Sequence, residues 1–211
     1  IKLAYNKAIE SYSEYKRHIM KGILPCDIID NWPNAKKSFE RDNVPVEKAK
    51  SYSKASHKGY PEDSINIAII GHSYNIYDHY TNMNVVNKLR KMGAKIITVD
   101  MIEESIINRE LGFLNKKMFW NFGRIAAGSI NYLIKKSNID AILYIMSFGC
   151  GIDSFVCDIV ERRIRRESRL PFMALTIDEH SGEAGLETRI EAFIDMIKWR
   201  KKNEANISAY G

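Results

Sequence analysis

Four short runs of branched and aromatic apolar residues, each followed by a polar loop, constrain this chain more than any other feature. The runs are residues 65–70 (INIAII), 95–99 (KIITV), 141–146 (AILYIM) and 172–177 (FMALTI). Their length and their Ile and Val content are those of strands covered on both faces, as in a parallel sheet. Helical spacing fills the intervals. Val85, Val86, Leu89 and Met92 mark a first helix, and Phe119, Phe122, Gly123, Ala126, Ala127, Ile130 and Ile134 mark a second. Ile152, Phe155, Val156, Ile159 and Val160 share a face of a third, while Leu186, Ile190, Phe193, Ile194 and Ile197 share a face of a fourth. Parallel neighbours need a long connection, and a right-handed helical crossover is the compact one. The expected class is α/β: a doubly wound, flavodoxin- or Rossmann-like sheet of four parallel strands in the order 2-1-3-4. It occupies residues 65–203, after a helical arm over residues 1–64 and before a tail over residues 204–211.

In the arm, Ile1, Tyr5, Ala8, Tyr12, Tyr15 and Ile19 recur at helical spacing, an aromatic stripe that reads as packing surface. A second helix is expected after Pro45, a residue suited to a first helical turn. Between the two, residues 22–43 hold Pro25, Trp32 and Pro33 without a sustained period and read as a structured loop. Gly, Pro and charge over residues 59–64 mark the break between the arm and the α/β region.

A length of 211 residues gives one full core plus an appendage. No apolar run approaches the roughly 18 residues of a membrane span, and no basic segment with an apolar stretch resembling a signal peptide opens the chain, so a cytoplasmic protein is expected. The first residue is Ile1, as in a piece of a longer protein. Cys26, Cys150 and Cys157 are odd in number and lack CxxC spacing, which points to reduced thiols rather than a disulfide framework or a self-contained zinc site. Much of the net charge of +6 sits in Arg162, Arg163, Arg165, Arg166 and Arg169, a solvated helix end rather than a nucleic-acid surface.

In open α/β sheets ligands bind beyond the carboxyl ends of the strands, where the strand order reverses. Three polar loops stand there: GHSYNIYD (71–78), SFGCGIDS (147–154) and DEHSGEAG (178–185). In the order 2-1-3-4 they are expected to meet in one crevice lined by His72, Cys150 and Glu179. From the first loop, His72, Tyr74, Asn75 and Asp78 are candidate ligand-binding residues, Asn75 offering both a donor and an acceptor. From the second, Ser147, Gly149, Gly151 and Asp153 join them. Gly149 and Gly151 fit equally a plain strand-to-helix turn. Cys150 between them faces a helix N-terminus, whose partial positive charge favours the thiolate that binds metal or attacks. Cys157, on the same helix, reads as an ordinary half-buried thiol. In the third loop, Asp178, Glu179, His180 and Glu183 suit acid-base work or cation binding, or else Asp178 and Glu179 cap helices and His180 bonds to backbone.

The runs GHSYNIYDHYTNMNVVNKLRKMG, MSFGCGIDSF and LPFMALTIDEHSGEAGLETRIEAFIDMI resemble the C-terminal α/β region of bacterial proteins related to the activators of 2-hydroxyacyl-CoA dehydratases. These are described as CoA-substrate-specific enzyme activase or acyl-CoA dehydratase activase-related proteins. The similarity spans residues 65–200. In the related dehydratases a [4Fe-4S] cluster sits on cysteine thiolates between two such α/β domains, and an ATP-driven iron-sulfur activator passes one electron. The resemblance therefore implies that Cys150, which matches the cysteine of the strand-end motif, is a metal ligand, and that an activator ATPase is a partner. The resembling proteins also carry an N-terminal α/β half with further cysteines, whereas this chain offers Cys26 in its helical arm. A cluster of that kind needs three or four thiolates, so another domain has to complete it. No GxxxxGK[ST] loop occurs, and ATP binding by this chain is not expected.

The resulting expectation is a domain of an acyl-CoA-dehydratase-related iron-sulfur protein, lending a cysteine and polar loops to a cluster or substrate site for reductive or radical chemistry. Two alternatives are a non-catalytic docking module for the activator, using the loops and the basic helix, and a metal-assisted hydrolase using Asp178, Glu179 and His180.

Overall fold

A computed structural model of the chain describes residues 1–30, 64–136 and 138–209, without the side chains of residues 29, 30 and 204–209. The helix expected after Pro45, most of the loop over residues 22–43 and nearly all of the break over residues 59–64 lie outside the described residues. The chain divides into two compact units, Ile1–Pro61 and Glu62–Gly211.

In the first unit, α1 spans Lys2–Met20 and α2 spans Pro25–Asp30. The second helix corrects the expectation of a loop at that point. Pro25 stands at its first position, where the missing N–H costs nothing and the fixed φ suits helix entry. Ile19, Leu24, Cys26 and Ile28 are buried, but Tyr5 and Tyr12 are exposed, so the aromatic stripe expected to pack remains at the surface.

The second unit is an α/β sheet with helices between successive strands. Strand β1 is Ile65–Gly71, β2 is Ala94–Thr98, β3 is Ala141–Ser147 and β4 is Phe172–Ile177. All pairings are parallel and the order is β2-β1-β3-β4. The reversal of strand order therefore lies between β1 and β3, where Ile67 stands opposite Ala141 and Gly71 opposite Ile145. Between β1 and β2 come a short helix α3 (Ser73–Tyr77) and α4 (Val85–Lys91). After β2 follow α5 (Glu104–Arg109) and α6 (Asn121–Leu133), then α7 (Gly151–Glu167) after β3 and α8 (Glu183–Ala209) after β4.

Both central strands are buried almost throughout because each carries apolar side chains to both faces. Ala68 and Ile70 of β1, with Ile142 and Tyr144 of β3, share one cluster with Ala126 and Ile130 of α6 and Val156, Val160 and Ile164 of α7. Alternation along a strand turns Ile67, Ile69, Leu143 and Ile145 to the opposite face. On α8, Leu186, Ile190, Phe193, Ile194 and Ile197 are all buried, as their spacing predicts. That helix continues through residues 204–209, the stretch expected as a tail. Lys201 anchors it, donating to the Ser64 carbonyl at 3.0 Å and to Asp140 at 3.1 Å.

Three residues depart from the predicted buried faces: Phe119, Ile152 and Phe155 are exposed. Phe119 precedes α6 rather than lying in it. Ile152 and Phe155 lie off the buried face of α7, which runs through Asp153, Val156, Cys157, Val160 and Ile164. No described helix is long and apolar enough to cross a membrane.

Candidate functional site

The reversal point is built from the backbone outward. Gly71 closes β1, and a Cβ there would lie 2.5 Å from the Ile145 carbonyl oxygen of β3. Only glycine permits this approach of the two central strands. The next residue, His72, is the N-cap of α3, its carbonyl accepting from the Asn75 and Ile76 amides. The short helix turns Asn75 into the interior, where Ser147 at the end of β3 donates its hydroxyl to Asn75 Oδ1 at 3.0 Å.

Beyond Ser147 the β3–β4 ladder runs one bond further, from the Phe148 amide to the Ile177 carbonyl at 2.8 Å. Gly149 then takes φ +75°, a left-handed conformation that side chains disfavour, and so reverses the chain into α7. That demand accounts for Gly149 without a ligand. Gly151 has open space where a Cβ would be. Cys150 between them is the N-cap of α7 and its thiol is half-buried. Cys157, two turns along α7, is buried, and burial pushes its thiol up to about 11.

One turn into α7, Asp153 has a fully buried carboxylate whose Oδ1 lies 3.1 Å from His72 Nε2. Burial pushes this carboxyl above its ordinary range, while the His72 imidazole and the Ser147 amide pull the other way. The His72 ring is stacked on Phe122 at 3.9 Å and on Tyr74 at 5.1 Å between centroids. The 3.1 Å approach is an ion-pair contact rather than an aligned hydrogen bond. Neither Asp153 oxygen, nor the Tyr144 hydroxyl, nor Asn75 Nδ2 has a hydrogen-bond partner among the described residues, although all are buried. Burial, Asp153, Cys157 and Cys150 together push the Tyr144 phenol up. Burial likewise raises the Tyr74 phenol, with Asp153 and Cys150 adding to it and Ser147 opposing.

The first two loops thus come together as the strand order requires: His72, Asn75, Ser147 and Asp153 form one polar cluster, with Tyr74 over it. Asp78 does not join them; it is exposed and accepts from the Thr81 amide at 2.8 Å, a bond that lowers its carboxyl pKa and closes a turn.

The third loop is organised on itself. Asp178 accepts from the His180 amide at 2.8 Å and from the Ser181 hydroxyl at 2.9 Å, and the Ser181 amide donates to the Asp178 carbonyl. Glu179 and His180 are exposed and 3.5 Å apart. Glu183 pairs with Lys88 of α4 at 2.6 Å, which lowers its pKa. No described hydrogen bond or ion pair links Asp178, Glu179 or His180 to His72 or Cys150. No group of three or more His, Cys, Asp and Glu residues with metal-binding geometry occurs among the described residues.

Tyr144 and Phe122 belong to the cluster but were read as core. The one available signal was the hydroxyl of Tyr144 in an otherwise aliphatic strand. The basic helix end is largely self-neutralised: Arg162 pairs with Asp158, Arg163 with Glu167 and Arg165 with Glu161, each one turn apart.

The family model described as 2-hydroxyglutaryl-CoA dehydratase, D-component, matches residues 83–197. The chain belongs to this family. The match to the D-component family runs from just before α4 into α8 and includes Phe122, Tyr144, Ser147, Cys150 and Asp153. A second model, described as the CoA enzyme activase uncharacterised domain, matches residues 1–102 and includes His72, Tyr74 and Asn75. The polar cluster of this D-component family member is therefore assembled from both matched segments. No curated protein matches the chain.

Proposed function

We propose that this chain is one domain of an acyl-CoA-dehydratase-related iron-sulfur protein and lends Cys150 and the strand-end loops to a cluster or substrate site completed by another domain. The chemistry proposed is reductive or radical conversion of an acyl-CoA or similar small substrate, with an ATP-dependent activator as electron-donating partner. The observation that supports it is the place of Cys150: a half-buried thiol at the N-terminus of α7, beside the reversal of strand order and within a match to the dehydratase D-component. The described residues do not by themselves fit a [4Fe-4S] cluster. In the unit that holds the site, Cys150 is one thiol and Cys157 is buried with a raised pKa, short of the four thiolates of such a cluster. Further ligands therefore have to come from elsewhere.

Metal-assisted hydrolysis by Asp178, Glu179 and His180 draws no support from their loop, because Asp178 is occupied by the turn and the other two project into solvent. A docking role for the basic helix is weakened by its internal ion pairs. The test is to purify the longest native gene product without oxygen and measure iron and acid-labile sulfide. Both are expected in amounts matching a cluster, and a preparation active in its native system without either would overturn the proposal.

A further inference from the structure

The imidazole of His72 is held on three sides. Its Nε2 edge faces the buried Asp153 carboxylate at 3.1 Å, and stacked aromatic neighbours, Phe122 and Tyr74, fix the ring plane. The side chain nevertheless keeps 27% of its surface exposed, and Nδ1 is not among the buried polar atoms left unpaired.

We propose that His72 is the proton-exchanging residue of the strand-end site, its Nδ1 accepting a proton from an O–H or N–H group of a bound small molecule, with Asp153 as its positioning residue. The inference deepens the assignment of the strand-end crevice as the functional site and rests on it. Once Asp153 is ionised its carboxylate can only accept, so the nitrogen 3.1 Å from it carries hydrogen, and in a neutral ring the other nitrogen then holds the lone pair. When the ligand's proton moves to Nδ1, its bonding electrons stay on the ligand and the new imidazolium charge is balanced by Asp153, the division of labour of any carboxylate-held histidine. The proton returns to the ligand or to a departing group, so no oxidant or reductant is needed.

A contact that served only to tie α3 to α7 would need no exposed nitrogen, and it would not leave the surrounding polar atoms idle. Buried polar groups are almost always paired. Here the Tyr144 hydroxyl and Asn75 Nδ2 lack partners among the described residues, which leaves hydrogen-bonding capacity for a polar ligand or its water. The titratable groups around the pair are Tyr74 from α3, Tyr144 from β3, and Cys150 and Cys157 from α7; Phe122 of α6 adds no charge. Burial raises the Asp153 carboxyl, so the ionised form that orients His72 gains population as pH rises.

The test uses the full chain and diethyl pyrocarbonate, which acylates unprotonated imidazole nitrogen, with modification mapped by peptide mass. His180, whose side chain is 87% exposed, is the internal reference. His72 is expected to react within about tenfold of the His180 rate, and Asp153→Asn, which favours the wrong tautomer, to slow His72 by roughly tenfold while His180 is unchanged. Asp153→Glu should restore part of the rate. Nitrogen-15 NMR of the unmutated chain should show Nε2 protonated and Nδ1 bare at neutral pH, which keeps the proposal testable if the variants misfold. A His72 that stays unmodified while His180 reacts, an Asp153→Asn rate equal to wild type, or a protonated Nδ1 would each overturn it. These results do not depend on iron: a reactive His72 in an iron-free native protein retires the cluster and leaves the proton site standing.

Discussion

Replacing Gly71 by alanine places a methyl group where the two central strands come closest. The new Cβ would lie 2.5 Å from the Ile145 carbonyl oxygen and 3.4 Å from both its carbonyl carbon and its Cβ. Two of these three atoms are backbone in a fully buried strand, so the clash cannot be relieved by a rotamer change; β1 has to move away from β3. Overpacking a core costs about 1–3 kcal/mol, and a clash with backbone belongs at the upper end, about 3 kcal/mol. For a unit of this size each kcal/mol shifts the melting temperature by about 2–4 °C, so a fall of roughly 6–12 °C is expected. Because His72 follows directly, the displacement should also loosen its contact with Asp153. The assay is thermal and urea unfolding followed by circular dichroism, with Gly151→Ala as control. Gly151 has nothing within 4 Å of a new Cβ and should change stability by about 0.5 kcal/mol or less. A Gly71→Ala protein within about 0.5 kcal/mol of wild type would refute the close approach.

Asp153→Asn tests the buried carboxylate through pH. Burial raises the folded pKa above the unfolded value of about 3.9, so the folded protein holds the extra proton between the two and loses stability as pH rises through that window. The asparagine variant lacks this loss and should gain on wild type as pH rises from about 4 towards neutrality; a stability difference constant over that range would contradict the raised pKa. Replacing Arg162 and Arg166 by serine should cost less than about 1 kcal/mol, since exposed pairs one turn apart contribute little, and a larger loss by urea titration would show that the helix depends on them. Cys150 should alkylate with iodoacetamide near neutral pH roughly tenfold or more faster than Cys157, whose thiol is buried and raised to about 11; equal rates would remove the distinction.

The sheet was legible because its central strands are buried almost throughout. Runs such as INIAII and AILYIM have no other stable use in a chain with polar loops at their carboxyl ends, and crossover handedness leaves few orders to choose from. The face of α8 was legible for the same reason, a single stripe against a single sheet. The start of α7 was not: apolar Ile152 and Phe155 drew the stripe to themselves, whereas the buried face includes the polar Asp153 and runs through Val156, Cys157, Val160 and Ile164. The first two polar loops were legible as neighbours from the strand order, but the roles of the loop residues were not. Asp178 looked like an acid-base group, yet a side chain that can bond to its own backbone two or three residues on is as well suited to a turn, and here it makes one. Asp153 was recognised as a polar residue near Cys150, whereas its complete burial against His72 depends on a contact 81 positions away in sequence, beyond any local pattern. Tyr144 hid among aliphatic neighbours because its ring packs as they do.

The contribution of Cys150 is tested most directly by iron content. In the longest native product purified without oxygen, Cys150→Ser should lose iron and sulfide, because serine keeps the size of the side chain but not the soft thiolate that iron prefers, while Cys157→Ser should retain both. Equal loss in the two variants would make Cys157 a ligand despite its burial, and full retention of iron in Cys150→Ser would contradict the account.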